Sequence, residues 1–148
     1  MRERFKRFNF LIAKLQKYVQ KIKTEEMSEF NLKGPHVTCM SYLYARGELT
    51  AKDIRVLSGE DKASISRSLD YLEENGYVVC DSMAVKRYNA KYSLTEKGNE
   101  VGARLTDKIN NITQIVSKGV SDENRAIMYN ALEIIAYNLE DYFEKIEK

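Results

Sequence analysis

The sequence predicts a mainly α-helical (α+β) fold, with long helices at both ends of the chain and a centre of short helices followed by a β-hairpin. Three observations predict it: heptad-like apolar spacing near each terminus, glycines that divide the centre into short segments, and two short β-forming runs around a polar loop. The chain has 148 residues, of which 43% are hydrophobic and 31% charged, which suits one compact domain with a buried core.

The first element is a long amphipathic helix. Its apolar residues recur at alternating spacings of three and four, at Phe5, Phe8, Ile12, Leu15, Val19 and Ile22. This spacing places them on one helix face. The pattern fades at Met27-Ser28, and Gly34-Pro35 indicates a loop.

Three shorter helices follow in the centre of the chain. The first spans about 36–46, and we expect Gly47 after it to adopt left-handed geometry. Thr50 is suited to the N-cap of the second helix, because its hydroxyl can accept a backbone N–H bond. That helix ends at Ser58-Gly59.

The third central helix leads into a hairpin. It opens near Asp61 and stops at Gly76, and its apolar face consists of Ile65, Leu69 and Leu72. Residues 77–80 are rich in β-forming side chains and predict a strand, and residues 91–94 predict the returning strand.

Two long helices complete the chain. Thr95 is a candidate N-cap for the first, Gly119 breaks it, and Ser121 is a candidate N-cap for the second. The last helix carries a second stripe with alternating spacings of four and three, at Met128, Leu132, Ile135, Leu139, Tyr142 and Ile146.

The two terminal stripes predict a homodimer. They are too apolar to face water, and a chain of this size has little else to cover them. The ends also differ in charge: residues 1–23 carry a net +7 and residues 120–148 a net −4. They can pair within or between chains, although a basic N-terminal helix also suits a membrane surface. The expected dimer contacts are Phe5, Phe8, Ile12, Leu15, Leu132, Ile135, Leu139 and Tyr142.

Three helices followed by a hairpin are the element order of a winged helix-turn-helix. We expect residues 36–94 to form this DNA-binding region, and residues 1–35 and 95–148 to form a helical dimerisation region within one compact domain. The second helix of the pair joined by the turn at Ser58-Gly59 is expected to enter the major groove of double-stranded DNA.

Side chains at the start of that helix suit base and phosphate contacts. Short hydroxyls bond phosphates or base edges, arginine binds guanine through two bonds, and Ala63 allows contact with a thymine methyl. The polar hairpin loop is basic and fits a minor groove, where the potential is most negative. An ordinary solvated surface is the alternative for all these side chains. The candidate DNA contacts are Thr50, Lys62, Ala63, Ser64, Ser66, Arg67, Lys86, Arg87 and Lys91.

Three segments resemble the MarR family of bacterial regulators. They are LTAKDI at 49–54, DKASISRSLDYLEENGYV at 61–78, and YSLTEKG at 92–98. The resemblance implies a homodimeric repressor on a pseudo-palindromic operator, controlled by a small-molecule or redox signal. The family's wing carries Asp-x-Arg, but Lys86 and Tyr88 occupy those places here, and Arg87 becomes the wing arginine if the loop is shifted by one residue.

Other chemistry is weakly indicated. His36 and Cys39 are spaced like a pair of metal ligands, but core packing is the favoured interpretation because no further ligand accompanies them. The two cysteines, Cys39 and Cys80, fit a reducing cytoplasm, and either is a candidate redox sensor. The ten tyrosines are candidates to line a pocket for a small aromatic effector.

Enzymatic and membrane functions are not predicted. The sequence shows no nucleophile–base pair, no metal cluster and no phosphate-binding glycine loop, so neither catalysis nor a cofactor is expected. It contains neither a secretory h-region nor an apolar run of about 18 residues. The alternative to DNA binding is a winged-helix protein-interaction module, since residues 46–98 hold nine basic and nine acidic side chains.

Overall fold

The computed structural model describes residues 2–81 and 90–146, except for the side chains of Arg2 and Phe5. The described α-helices are α1 (Arg2–Lys21), α2 (Gly34–Arg46), α3 (Ala51–Ser58), α4 (Lys62–Glu74), α5 (Glu96–Val116) and α6 (Asp122–Ile146). A π-helical turn (Ile22–Glu26) and a short 3-10 helix (Ser28–Phe30) lie between α1 and α2. The described strands are β1 (Leu49–Thr50), β2 (Val78–Cys80) and β3 (Lys91–Leu94). The predicted winged helix-turn-helix fold, mainly α with a small sheet, is confirmed.

The chain forms two compact units, residues 1–109 and 110–148. The first contains α1 to α4, the sheet and most of α5, and the second contains α6 with the end of α5. None of the helices described here combines the length and the apolarity that a membrane crossing requires.

The core of the first unit is built around α2 and α4. Apolar side chains of α2, α3, α4 and α5 are almost completely buried there, among them Val37, Met40, Leu43, Ile54, Ile65, Leu69, Leu72 and Leu105. Burial of each large aliphatic side chain contributes about 1.5–3 kcal/mol. The segment between α1 and α2 adds Met27, Phe30 and Leu32 to this core.

The start of α2 differs from the prediction. Gly34 and Pro35 are its first two residues and not a loop, so the helix begins two residues before His36. Proline is tolerated in the first turn of a helix because its missing N–H has no partner there. The loop-forming pair is therefore accommodated inside the helix.

The predicted helix caps are confirmed. The Oγ1 atom of Thr50 accepts the Asp53 N–H at 3.1 Å, and the Oγ1 atom of Thr95 accepts the Gly98 N–H at 3.0 Å. Ser121 caps α6 in the same way, with its Oγ 3.2 Å from the Asn124 nitrogen. Gly47 departs from the expectation, since its φ of 81° is positive but its ψ of −119° lies outside the left-handed helical region.

The sheet contains a strand that was not predicted. Its order is β1-β3-β2, with β3 antiparallel to both neighbours. In β1, Leu49 pairs with Tyr92 and Thr50 pairs with Lys91. A two-residue strand is too short to show alternation, which explains why periodicity missed it. The two strands of the predicted hairpin are confirmed as β2 and β3.

The start of α5 is packed directly against the start of the hairpin. The Thr95 hydroxyl donates to the Gly76 carbonyl at 2.7 Å. A Cβ atom at Gly98 would lie 2.0 Å from the Tyr77 carbonyl oxygen. Any residue larger than glycine at position 98 must therefore displace backbone.

Replacing Gly98 with alanine is expected to destabilise the protein by about 1–3 kcal/mol, because overpacking against backbone outweighs the higher helix propensity of alanine. Thermal unfolding of Gly98→Ala measures this. The matched control is Gly102→Ala on the same helix, where the new Cβ would meet the partly exposed Tyr44 ring at 2.7 Å. That ring can move, so a smaller loss is expected. Equal losses would contradict the assignment of the cost to the Tyr77 backbone.

Candidate nucleic-acid interface

Helix α4 buries one face and exposes the other. Ile65, Leu69 and Leu72 are at most 1% exposed, and α4 packs through this face on α2 and α3. In the first two turns the opposite face exposes Lys62, Ala63, Ser66 and Arg67. Four of the predicted DNA contacts thus lie together on one open surface, which we call the α4 face.

The fifth predicted contact of this helix, Ser64, is less accessible than the other four, because it is half-buried. Its backbone groups make two hydrogen bonds to side chains of neighbouring residues. Its N–H donates to the Asp61 Oδ1 atom at 2.9 Å, which makes Asp61 the N-cap of α4. Its carbonyl accepts the Ser68 hydroxyl at 2.8 Å, so the buried Ser68 is satisfied within the helix. These bonds define where α4 begins and so where Lys62 lies.

The turn between α3 and α4 is tight and hydrogen-bonded. Gly59 has left-handed geometry (φ 69°, ψ 7°), and its N–H donates to the Arg55 carbonyl at 3.0 Å. The Glu60 N–H donates to the Ser58 hydroxyl at 3.2 Å. From outside the helix pair, the Tyr42 hydroxyl donates to the Leu57 carbonyl at 2.6 Å. The turn therefore holds α3 and α4 in a defined arrangement.

Thr50, a predicted DNA contact, is engaged at the start of α3. Its hydroxyl donates to the Asp53 Oδ2 atom at 2.7 Å, and its N–H donates to the same atom at 2.9 Å. These two bonds lower the pKa of the Asp53 carboxyl below its ordinary value, with the hydroxyl as the largest cause. The Thr50 hydroxyl therefore has a capping role, and its contact with DNA stays a prediction.

Sequence reasoning passed over two cations on α3. Lys52 and Arg55 are exposed, and α3 is the first helix of the helix-turn-helix. That helix crosses the DNA backbone in proteins of this architecture. The sequence could have indicated them, since both basic residues lie close to Ile54, whose side chain is buried, within the segment predicted to be this helix.

Lys91 lies at the start of β3, at the base of the wing. Its ammonium is 3.5 Å from the Glu48 carboxylate, and both side chains are more than half exposed. Exposed ion pairs of this kind are worth little, so Lys91 can exchange Glu48 for a phosphate at low cost. The predicted wing contacts Lys86 and Arg87 lie outside the described residues.

His36 and Cys39, the candidate metal ligands, take part in packing, whereas Cys80, the second redox candidate, is partly exposed. The His36 Nδ1 atom accepts the Lys33 N–H at 3.2 Å, and its ring stacks on Tyr71 with centroids 4.2 Å apart. Burial lowers the pKa of His36, and the Lys33 charge adds to this. Burial also raises the pKa of the Cys39 thiol to about 12, which disfavours the reactive thiolate. The part of the chain described here contains no cluster of three or more potential metal ligands.

The predicted dimerisation residues are largely uncovered within the chain. Ile12, Leu15, Leu132, Leu139 and Tyr142 are all exposed, and Phe8 and Ile135 are half-buried. None of the residues of α6, all of which are described, is buried. The side chain of Phe5 lies outside the described part of the structure.

A helix pair with a tight turn, an antiparallel wing and exposed cations at the start of the second helix together define a winged helix-turn-helix domain. The chain belongs to the winged helix DNA-binding domain family, whose model matches residues 36–115. No curated protein matches the sequence at a significant level.

Solved structures confirm this fold over nearly the whole chain. A MarR family regulator from Neisseria meningitidis is 19% identical, with 97% of this chain and 95% of that chain covered and a TM-score of 0.76. A putative MarR family regulator from Listeria monocytogenes, solved with a 26-mer DNA, is 18% identical over 93% and 91% of the two chains, with a TM-score of 0.82. BpsR from Bordetella bronchiseptica, whose DNA binding is regulated by 6-hydroxynicotinic acid, is 15% identical over 88% and 98%, with a TM-score of 0.76.

Removal of the Asp61 cap is expected to weaken the start of α4. Asp61→Ala deletes the acceptor of the Ser64 N–H and should lower the free energy of unfolding by about 1 kcal/mol. Denaturant unfolding measures the loss. Asp61→Asn keeps a side-chain oxygen at the same position and should retain most of the stability. A loss in Asp61→Asn as large as in Asp61→Ala would show that the carboxylate charge, and not the cap, stabilises the helix.

Proposed function

We propose that this chain is a sequence-specific, DNA-binding transcriptional regulator that acts as a homodimer. The observation that carries the proposal is the α4 face, which presents a cation pair, a hydroxyl and a methyl group at the start of a helix anchored to the core. Such a helix inserts its N-terminal residues into the major groove. Membership of the winged helix DNA-binding family supports this assignment.

The charge distribution assigns different roles to the cations around the helix pair. Lys52, Arg55 and Lys91 lie outside α4 and are proposed to bind phosphates, which position the protein on the duplex. Arg67 lies one turn into α4 and is proposed to bind a guanine edge. Lys62, at the first position of α4, is proposed to meet phosphate.

Selection of binding sites from a random pool of duplex DNA tests the proposed function. The chain should enrich a pseudo-palindromic sequence with half-sites about one DNA turn, ~34 Å, or a multiple of it apart. Its affinity for the enriched site should fall steeply with salt, since phosphate contacts release counterions. A chain that enriches no sequence and shows no salt dependence would instead support the protein-interaction module, which the balance of nine basic and nine acidic side chains over residues 46–98 favours.

The proposed regulation is repression that a small aromatic ligand relieves. The support is the MarR-type fold and the regulation of BpsR by 6-hydroxynicotinic acid. A thiol signal through Cys39 is disfavoured, because its buried thiol has a raised pKa. Footprinting on DNA that flanks the protein's own gene, repeated with candidate aromatic acids, tests this regulation.

Replacing Arg67 with alanine should weaken binding to the selected site by about 1–3 kcal/mol and binding to unrelated DNA much less, because a base contact is lost. Affinity measurements on both duplexes check this. Lys62→Ala is the comparison, and it should weaken binding to both duplexes similarly. An equal loss on both duplexes for Arg67→Ala would make Arg67 a phosphate contact.

The homodimer is proposed to form through α1 and α6. Both helices expose large apolar side chains of their stripes in the single chain, including Ile12, Leu15 and Val19 on α1, and Met128, Leu139 and Tyr142 on α6. α1 is basic and α6 is acidic, so the two helices of different copies attract each other. Two linked helix-turn-helix units then bind with a raised effective concentration.

Leu139→Asp should dissociate this dimer, because burying an unpaired carboxylate costs several kcal/mol. Analytical ultracentrifugation should show a monomer, and affinity for the selected site should fall although position 139 lies outside the helix-turn-helix. Asn130→Asp adds the same charge on the opposite face of α6 and should stay dimeric. A dimeric Leu139→Asp protein with full affinity would exclude this interface.

A further inference from the structure

Tyr42 lies outside the helix-turn-helix but is hydrogen-bonded to its turn. It belongs to α2, and its hydroxyl donates to the Leu57 carbonyl at 2.6 Å, across 15 residues of sequence. Leu57 is the second-last residue of α3, immediately before the turn that leads to α4. The bond therefore joins α2 to the end of α3.

The Leu57 carbonyl needs a partner from outside its own helix. The last four carbonyls of a helix have no intrahelical N–H to accept. The Gly59 N–H satisfies the Arg55 carbonyl at 3.0 Å, and the Tyr42 hydroxyl satisfies that of Leu57. The first bond is made within the turn itself. The second bond comes from α2 and therefore links the turn to a helix of the core.

The α2 end of this bond is rigidly anchored. Met40 and Leu43, on either side of Tyr42, are at most 1% exposed. Tyr42 itself is half-buried, so its ring leaves the core and its hydroxyl reaches the surface. The other end is less constrained, because Val56 and Leu57 are 69% and 37% exposed and Ile54 is the only buried residue of α3.

We infer that the Tyr42 hydroxyl is a positioning group for base recognition, which holds the end of α3 so that α4 presents Arg67 at the correct height in the major groove. The inference rests on the proposed DNA-binding function. Arg67 must place two donors within hydrogen-bond distance of one guanine, and that range is only about 0.5 Å wide. A small displacement of the turn therefore affects base contacts more than phosphate contacts, which long lysine side chains reach by adjusting their rotamers.

The hydroxyl contributes little to overall stability, because the bond lies at the exposed surface. When the hydroxyl is removed, water can solvate the Leu57 carbonyl, so no buried acceptor is left without a partner. This separates a positioning role from a purely structural one. Loss of the hydroxyl should leave the protein folded while the turn becomes freer to move.

The test compares Tyr42→Phe with the wild-type protein on two duplexes of equal length, one with the selected site and one with a scrambled sequence. Affinity for the selected site should fall about three- to tenfold, the scale of one net hydrogen bond, and affinity for the scrambled duplex should stay within about twofold. The melting temperature should change by less than about 4 °C. Hydrogen exchange of the Gly59 and Glu60 amides should accelerate.

The matched control is Tyr44→Phe, on the same helix. The Tyr44 ring packs over Gly102 of α5, so this variant removes a hydroxyl without touching the turn. Its affinity for both duplexes should stay within about twofold of wild type, as for most surface substitutions.

A double-mutant cycle with Arg67→Ala shows whether Tyr42 acts through Arg67. Because the hydroxyl is proposed to act through that contact, Tyr42→Phe should cost nothing further once Arg67 is alanine. Additive losses would overturn the inference, as would an equal loss on both duplexes or an unfolded Tyr42→Phe protein. A wild-type chain that binds no DNA would overturn the proposed function as well. A wild-type chain that binds DNA, with an unchanged preference in Tyr42→Phe, would overturn this inference alone.

Discussion

The burial of one face of α4 is the constraint on which the rest of the interface depends. Ile65, Leu69 and Leu72 are buried where α4 packs on α2 and α3, so the side chains on the other side of α4 are left facing solvent. Lys62 and Arg67 are therefore aimed at solvent by the packing of their neighbours. Rotation of α4 about its axis would expose this apolar face, at a cost of several kcal/mol.

Local placement of charge, and not net charge, distinguishes this interface. The chain carries only +2 in total. The cations of the helix pair, Lys52, Arg55, Lys62 and Arg67, are all exposed, whereas the acidic Asp53 is committed to the α3 cap and Asp61 to the α4 cap. Two carboxylates at the starts of α3 and α4 are thus used for helix capping, and the four basic side chains stay open to solvent. Net charge carries no sequence information, so any selectivity between DNA sequences depends on close contacts of these side chains.

Much of the fold could be predicted from the sequence, because its determinants are local. The apolar spacings located the long helices, and hydroxyl side chains located the caps at Thr50, Thr95 and Ser121. The α4 face followed from the same periodicity, since the residues opposite Ile65 and Leu69 are those that the structure exposes.

The features that escaped prediction depend on distant parts of the chain. Two such features are the pairing of Leu49 with Tyr92 and the hydrogen bond from Tyr42 to Leu57. Neither contact produces a periodic pattern, because the local sequence around each residue does not indicate its distant partner. The prediction of where α2 begins was wrong for a different reason. A glycine followed by a proline occurs both in loops and in the first turn of helices, so the two residues alone do not distinguish these cases. Here the residues that follow them are buried in α2.

The position of β1 has a consequence for the order of folding. Lys91 bonds to Glu48, 43 residues earlier, and the segment between them contains α3, α4 and β2. Closing such a loop from an unfolded chain is entropically expensive, whereas closing it around two helices that are already packed is not. We therefore expect β1 to pair with β3 only after α3 and α4 have packed together, whereas the pairing of β2 with β3 closes a much shorter loop and does not depend on that order.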